Sequence, residues 1–446
     1  MELADILSLI KTGKPALVTH ALSEWEKTMS HQSEPLISAL KLDNAASIEA
    51  ALKLAEKYHP GVCGPFIANL LKNQDALIRR LSVQSMVPAM GGICADALRQ
   101  MLIHEQDVFV LASAVTAAAR MNIGLEYIKP YLNHEDVRVR ANTVRSAGLL
   151  GKDNLHELLE PFLEDKALRV QNEAIKGLAT LIDEAELEEL VIKRLTAPDV
   201  ATRAATVYIT GELPLSRRVV FLIDALADPS MPVASCAARS LCLLRDTLGL
   251  RAVIESYLKS SDEKYADSIL KLLEPADSAK LLAIAENYAH PSTVAPGIAA
   301  KMLMAADFFT DWEPFLPWIV AGVDRKEPEV RHLALKLIAS HIDFFRSNIA
   351  PLIKKAETGS TVKDKALSAL IRWKAGQAEG LNQLQSMLFS LKAEDCAMAA
   401  EVLALEKGLI ARRLLEEARN KGILSKPENN GQAQPPKLRT IKLPQT

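Results

Sequence analysis

Two dipeptides, His104-Glu105 and His134-Glu135, stand thirty residues apart in a chain of 446. Imidazole with carboxylate is a donor set for iron and related metals, and such a site needs donors converging from facing elements. Placement decides against one. Each pair lies just upstream of an apolar residue that opens a helix, Val110 or Val139, so both are expected in turns. His156-Glu157 falls in a helix of the other kind. His332 is the one histidine set deep in an opening helix, and Leu333 follows it where an acid would be needed. The His-Glu pairs therefore read as turn residues flanking helices. No catalytic residue, metal or cofactor is expected. There is no Gly-rich phosphate loop, no GxSxG and no HExxH, and Gly91-Gly92 reads as a turn between helices.

The elements that hold these residues recur. An apolar anchor opens a helix rich in small residues at Ile78, Val110, Val139, Val170, Thr202, Val233, Val330 and Val362, with fainter instances at Ile48, Tyr265, Val294 and Cys396. Successive anchors are 29 to 36 residues apart. A Leu-rich helix such as LEYIKPYL or LHELLEPFL precedes each anchor helix, with a turn such as NHED, APD or DPS between them. Asp228-Pro229 suits a capping side chain ahead of a first-turn proline, and Asn133 with Asp136 suits a capping box. Ala174 and Gly177 sit where neighbouring helices must approach closely. Residues 260–310 depart from the pattern.

The repeat resembles HEAT-like repeats, in the short form of about thirty residues found in many bacterial proteins, the bilin-lyase type among them. The resemblance covers roughly residues 1–420. It implies an all-α fold, a right-handed α-solenoid of about twelve HEAT-like helix pairs, with the second helix of each pair lining a concave face. Deoxyhypusine hydroxylase is a HEAT-like enzyme whose His-Glu motifs lie inside the anchor helix and bind two irons. Here the motifs lie ahead of it. No residue set carries over from the bilin lyases, and the net charge of −2 and low aromatic content argue against the HEAT-like alkylpurine glycosylases, which need a basic concave face with a catalytic acid and aromatics. The family also implies that an Arg one residue past the anchor pairs with an acid near the preceding turn. That description fits Arg79, Arg140, Arg203 and Arg331, with Asp75, Asp136, Asp199 and Glu327 as expected partners, a structural ladder.

On an anchor helix, the residue before the anchor and those three and six after it share one stripe. In the central repeats that stripe holds Phe109, Arg138, Asn142, Arg145, Arg169, Lys176, Tyr208 and Arg239, with Glu173 its one acid. Arg pairs with carboxylate or phosphate through two parallel hydrogen bonds. The stripe suits an acidic or phosphorylated segment of another protein.

Bulk properties narrow the classes. Net charge is −2, which disfavours a general nucleic-acid binder, and aromatic residues are only 5%. Five cysteines without CxxC spacing read as buried residues of a reducing compartment. The N-terminus reads as an amphipathic helix, with no signal-peptide pattern and no apolar run of membrane-spanning length. Residues 421–446, Pro-, Gln- and Asn-rich with five cations against Glu428, read as a disordered basic tail. Trp312 and Trp318 are expected in helix packing. The expectation is a cytoplasmic, non-catalytic, protein-binding scaffold or adaptor of bacterial type. No small-molecule substrate, nucleic acid or membrane is inferred. A HEAT-like enzyme or enzyme subunit, a bilin-lyase or hydroxylase relative, is the alternative.

Overall fold

A computed structural model describes residues 1–28, 30–151, 154–309, 312–346 and 349–425. The tail expected from residue 421 lies outside the described residues from Lys426 onward. The chain divides into two units, Met1–Phe221 and Leu222–Thr446.

The first unit is a run of helix pairs: α1 (Leu3–Lys11) with α2 (Pro15–Thr28), α3 (Glu34–Leu40) with α4 (Ala45–Tyr58), and α5 (Pro60–Leu70) with α6 (Ala76–Gln84). Then come α7 (Gly92–His104) with α8 (Val108–Arg120), α9 (Leu125–Ile128) with α10 (Val137–Leu150), α11 (Leu155–Leu159) with α12 (Leu168–Leu178), and α13 (Glu184–Leu195) with α14 (Val200–Thr210). The even-numbered helices form one layer, each packed on the next from α2 to α14, while α1, α3, α5, α7 and α9 pack in sequence as a second layer. The α1–α2 pair stands ahead of the first anchor, burying Val18, Ala21, Leu22 and Trp25. The division between the units falls inside α15 (Arg218–Ala225).

The second unit contains α16 (Met231–Leu244), α17 (Thr247–Lys259) with α18 (Glu263–Leu270), α19 (Ser278–Glu286) with α20 (Pro296–Phe309), and α21 (Leu316–Val323) with α22 (Pro328–Ser340). It continues through α23 (Ile342–Phe345), α24 (Ile349–Ala356) with α25 (Val362–Lys374), α26 (Ala378–Leu388) with α27 (Ala393–Ala404), and α28 (Leu409–Asn420). Here α16, α18, α20, α22, α25 and α27 pack in sequence. α28 buries Ala411, Leu414, Leu415 and Ala418 on one face and exposes Arg412, Arg413, Glu416 and Glu417 on the other, a polar backing suited to a repeat end.

The turn chemistry explains the period. Asp75, Asp107, Asp136, Asp199 and Asp262 are N-caps, and each carboxylate accepts first-turn backbone N–H groups that have no partner within the helix. The anchor sits three residues later, and Ile78, Val110, Val139, Val170, Val233 and Val330 are buried there. Close approach between repeats occurs at Gly148 and Gly177, where a Cβ on Gly148 would lie 3.1 Å from the Gly177 Cα.

Several expectations need correction. Asn133 does not begin a capping box, because Asp136 is itself the cap of α10. The helices expected at LEYIKPYL and LHELLEPFL are half α and half 3₁₀, changing at Lys129-Pro130 and Glu160-Pro161. Proline lacks the N–H that the α ladder requires. Val294 is buried but lies in the turn before α20. Val362 is the first residue of α25 and only half-buried; the position three past the cap is Asp364, which is buried.

Candidate functional site

The His-Glu pairs are absorbed by the turns. His104 closes α7, and the Glu105 carboxylate takes Nε and Nη2 of Arg79, both at 2.8 Å, and the backbone N–H of Asp107 at 2.9 Å. Burial pushes the Glu105 carboxyl up, but the Arg79 guanidinium and these backbone N–H groups outweigh it and leave it below its ordinary value. His134 Nδ1 accepts the Asp136 N–H at 3.0 Å. Glu135 and His156 are exposed. Among the described residues, no three His, Cys, Asp or Glu side chains come together as a metal-binding set.

The arginines after the anchors face other partners than expected. Arg140 donates Nη1 to the carbonyls of His134 and Glu135, at 2.8 and 3.0 Å, and forks Nε and Nη2 onto Asp165, each at 3.0 Å. Arg79 repeats this on the carbonyls of Asn73 and Gln74 and on Glu105. Arg203 donates to the carbonyls of Ala197 and Pro198. Arg331 donates to the carbonyls of Lys355 and Ala356, and its Nε lies 3.3 Å from Asp364. For Arg79, Arg140 and Arg331 the partner acid thus belongs to the following repeat. Asp75, Asp136 and Asp199 cap their own helices, and Glu327 lies 3.7 Å from Arg325. A signal existed in the sequence, since the true acids lie 26 residues after Arg79 and 25 after Arg140, both in the next turn. Burial pushes the Asp165 carboxyl up, but Arg140 and the Ala167 N–H hold it below the usual carboxylate range.

The second unit holds two acids that sequence reasoning missed. Asp277, fully buried, takes both terminal nitrogens of Arg245 at 2.9 and 2.7 Å, and Arg245 has a left-handed backbone (φ 54°) at the end of α16. Asp364 occupies an anchor slot between Arg331 and His332, whose Nε2 lies 3.3 Å from it and 3.1 Å from Thr361 Oγ1. One imidazole nitrogen meets both groups, so the set cannot relay a proton as a nucleophile triad does, which uses the two ring nitrogens separately. Burial pulls the His332 imidazole down, with Asp364 opposing. Trp318 is buried, and the Trp312 ring lies against His341, tilted by 32° with ring centroids 3.8 Å apart.

The basic stripe is contiguous through three successive repeats of the first unit. The Arg138 guanidinium lies 4.0 Å over the Phe109 ring and forks onto Asp136 at 3.1 and 2.8 Å. Those bonds, with the backbone N–H groups of Arg138 and Val139, hold the Asp136 carboxyl well below its ordinary value. Asn142 donates Nδ2 to the Ala112 carbonyl at 2.8 Å and accepts Arg169 Nη2 at 3.2 Å. Lys176 Nζ lies 2.5 Å from Glu212. Arg145 is exposed and makes no side-chain polar contact among the described residues. Tyr208, on α14, is 55% exposed. Arg239 is exposed on α16, in the second unit, and the geometry within either unit does not join it to the others.

Helix pairs stacked by repeat, with no sheet among the described residues, define an all-α solenoid. No family model and no curated protein matches the chain. Solved structures similar to it include YibA of Escherichia coli, at 14% identity over 56% of this chain and 96% of that one, TM-score 0.36. Kap121p bound to Ste12p is similar at 13% identity over 86% of this chain, TM-score 0.43, and this chain spans 49% of it. Human deoxyhypusine hydroxylase is similar at 16% identity over 59% of this chain and 99% of that one, TM-score 0.26.

Proposed function

We propose that this protein is a non-catalytic scaffold or adaptor that holds an acidic or phosphorylated segment of another protein on the exposed stripe of α8, α10, α12 and α14. The observation that carries the reading is the continuity of Phe109, Arg138, Asn142 and Arg169 across three repeats, with Arg145 open beside them. Exposed aromatic and Arg side chains are the residues that dominate binding energy at protein interfaces. The thirty-residue period supports the short bacterial HEAT-like form, and with it a cytoplasmic setting. No helix among the described residues is long and apolar enough to cross a membrane.

The test is a pull-down from native-host lysate with wild-type protein beside Arg138→Glu, Arg145→Glu, Arg169→Glu, Lys176→Glu, after circular dichroism shows both folded. A partner held by the wild type and lost by the variant is the expected result. A partner held equally by both would move binding away from this face.

A further inference from the structure

The stripe contains cations of two kinds, and the difference specifies a ligand. On α10 and α12, the residue before the anchor and the residue six after it lie on one face, about 10.5 Å apart along the axis. The four cations therefore form two rows across the repeats, Arg138 with Arg169 and Arg145 with Lys176. One member of each row is already neutralised within the fold, Arg138 by Asp136 and Lys176 by Glu212. The other member is open. Arg145 has no polar side-chain contact among the described residues, and Arg169 touches only the neutral amide of Asn142. The two open guanidiniums stand diagonally, one on each helix and one in each row.

We propose that Arg145 and Arg169 together recognise an extended segment of another protein that carries two carboxylates three residues apart. The proposal rests on reading α8 to α14 as the docking face. An extended chain advances about 3.3 Å per residue and alternates its side chains. Residues i and i+3 therefore point to opposite sides about 10 Å apart, which matches the 8–10 Å step between packed helices. Carboxylates at i and i+2 would both face one row and leave one guanidinium unmatched. Glu173, one turn from Arg169 on α12, is the acid nearest this path along the helix and opposes a denser run of negative charge. Together with Asp136 and Glu212, it makes the face a better match for two discrete carboxylates than for a continuous phosphate backbone.

The experiment titrates the full chain into short fluorescein-labelled Ser/Gly peptides at low salt, read by anisotropy. The peptides carry two glutamates three apart, two glutamates two apart, or one glutamate. The three-apart peptide is expected to bind about tenfold tighter than the others, the value of one further charge-assisted bidentate contact. Arg145→Ala and Arg169→Ala should each remove that advantage. Arg138→Ala should change affinity less than about threefold, and Glu173→Gln should raise it. Melting curves verify that each variant folds. Equal affinity for all peptides, or no response to Arg145→Ala and Arg169→Ala, overturns the proposal. Tighter binding of a single-stranded oligonucleotide of equal charge overturns it in favour of nucleic acid. If the lysate partner still depends on the charge-reversed residues while the peptides do not distinguish spacing, the face stands and the spacing falls. If the lysate partner is held equally by the variant and no peptide binds, the face itself falls.

Discussion

The two units meet the same physical requirement in different ways. Helix ends leave carbonyls without partners, and a cation placed there can also bridge to the next repeat. In the first unit the solution is regular: Arg79 and Arg140 sit one residue past the anchor, bind two turn carbonyls, and reach an acid of the following turn. In the second unit Arg331 keeps the position one past its anchor but meets its acid inside the next anchor helix, and the other cations come from different positions. Arg245 reaches Asp277 from a left-handed helix end, Lys301 donates to the carbonyls of Leu258 and Ser260, and Arg331 shares a buried anchor slot with Asp364 and His332. The comparison teaches that the requirement is fixed by the stacking while the residue that meets it is not. A periodic pattern detects only the regular solution.

The largest effect should come from the second unit's substitute. Asp364→Leu restores an apolar anchor but leaves Arg331 buried without its acid, and should cost about 3–5 kcal/mol by thermal or denaturant unfolding. Arg331→Met with Asp364→Leu should recover most of that loss, since an apolar pair can replace a buried ion pair. If the single and double variants melted together, the idea that Asp364 stands in for an anchor would fail.

In the first unit, Arg140→Ala should cost about 3 kcal/mol, because both side chains of the Arg140–Asp165 pair are nearly buried. Arg145→Ala, on the exposed stripe, should stay within about 0.5 kcal/mol. Equal melting shifts would erase the division between ladder and stripe. Gly177→Ala should fall between them, at about 1–2 kcal/mol, because the new Cβ would meet Leu159 Cδ1 at 2.5 Å.

The Arg140–Asp165 pair also carries a pH dependence. The folded Asp165 carboxyl titrates below its unfolded value, so its contribution is present above about pH 4 and is lost as pH falls through the folded value. The stability gap between wild type and Asp165→Asn should be constant from pH 7 to about 5 and close below about 4. A gap that widened on acidification would reverse the assignment.

Much of the fold was legible because its cause is local. N-cap aspartates, an apolar residue three positions on and small residues one and two turns later repeat along the chain, and each acts within a few residues of itself. The period blurred where the local rule was broken, at Val294 outside its helix and at Val362, where Asp364 holds the slot. Partner choice was less legible. Asp136 lies close to Arg140 in sequence, yet its oxygens are taken by the first turn of α10 and by Arg138, so Arg140 turns to Asp165 in the next repeat. The helical stripe placed Phe109, Arg138, Asn142 and Arg169 on neighbouring helices, but not which of its cations already have an acid.

The sequence alone determined the helix-pair repeat, its turns and the residues that share each face, because capping and helical periodicity depend on neighbours along the chain. Only the tertiary structure decided which acids Arg79, Arg140 and Arg331 meet, that Pro130 and Pro161 bend two first helices into 3₁₀ turns, and that among the described residues Arg145 and Arg169 have no acidic partner while Arg138 and Lys176 do. Those outcomes depend on which repeat stacks on which and how closely, and a charge is satisfied by whatever that stacking brings within hydrogen-bond reach.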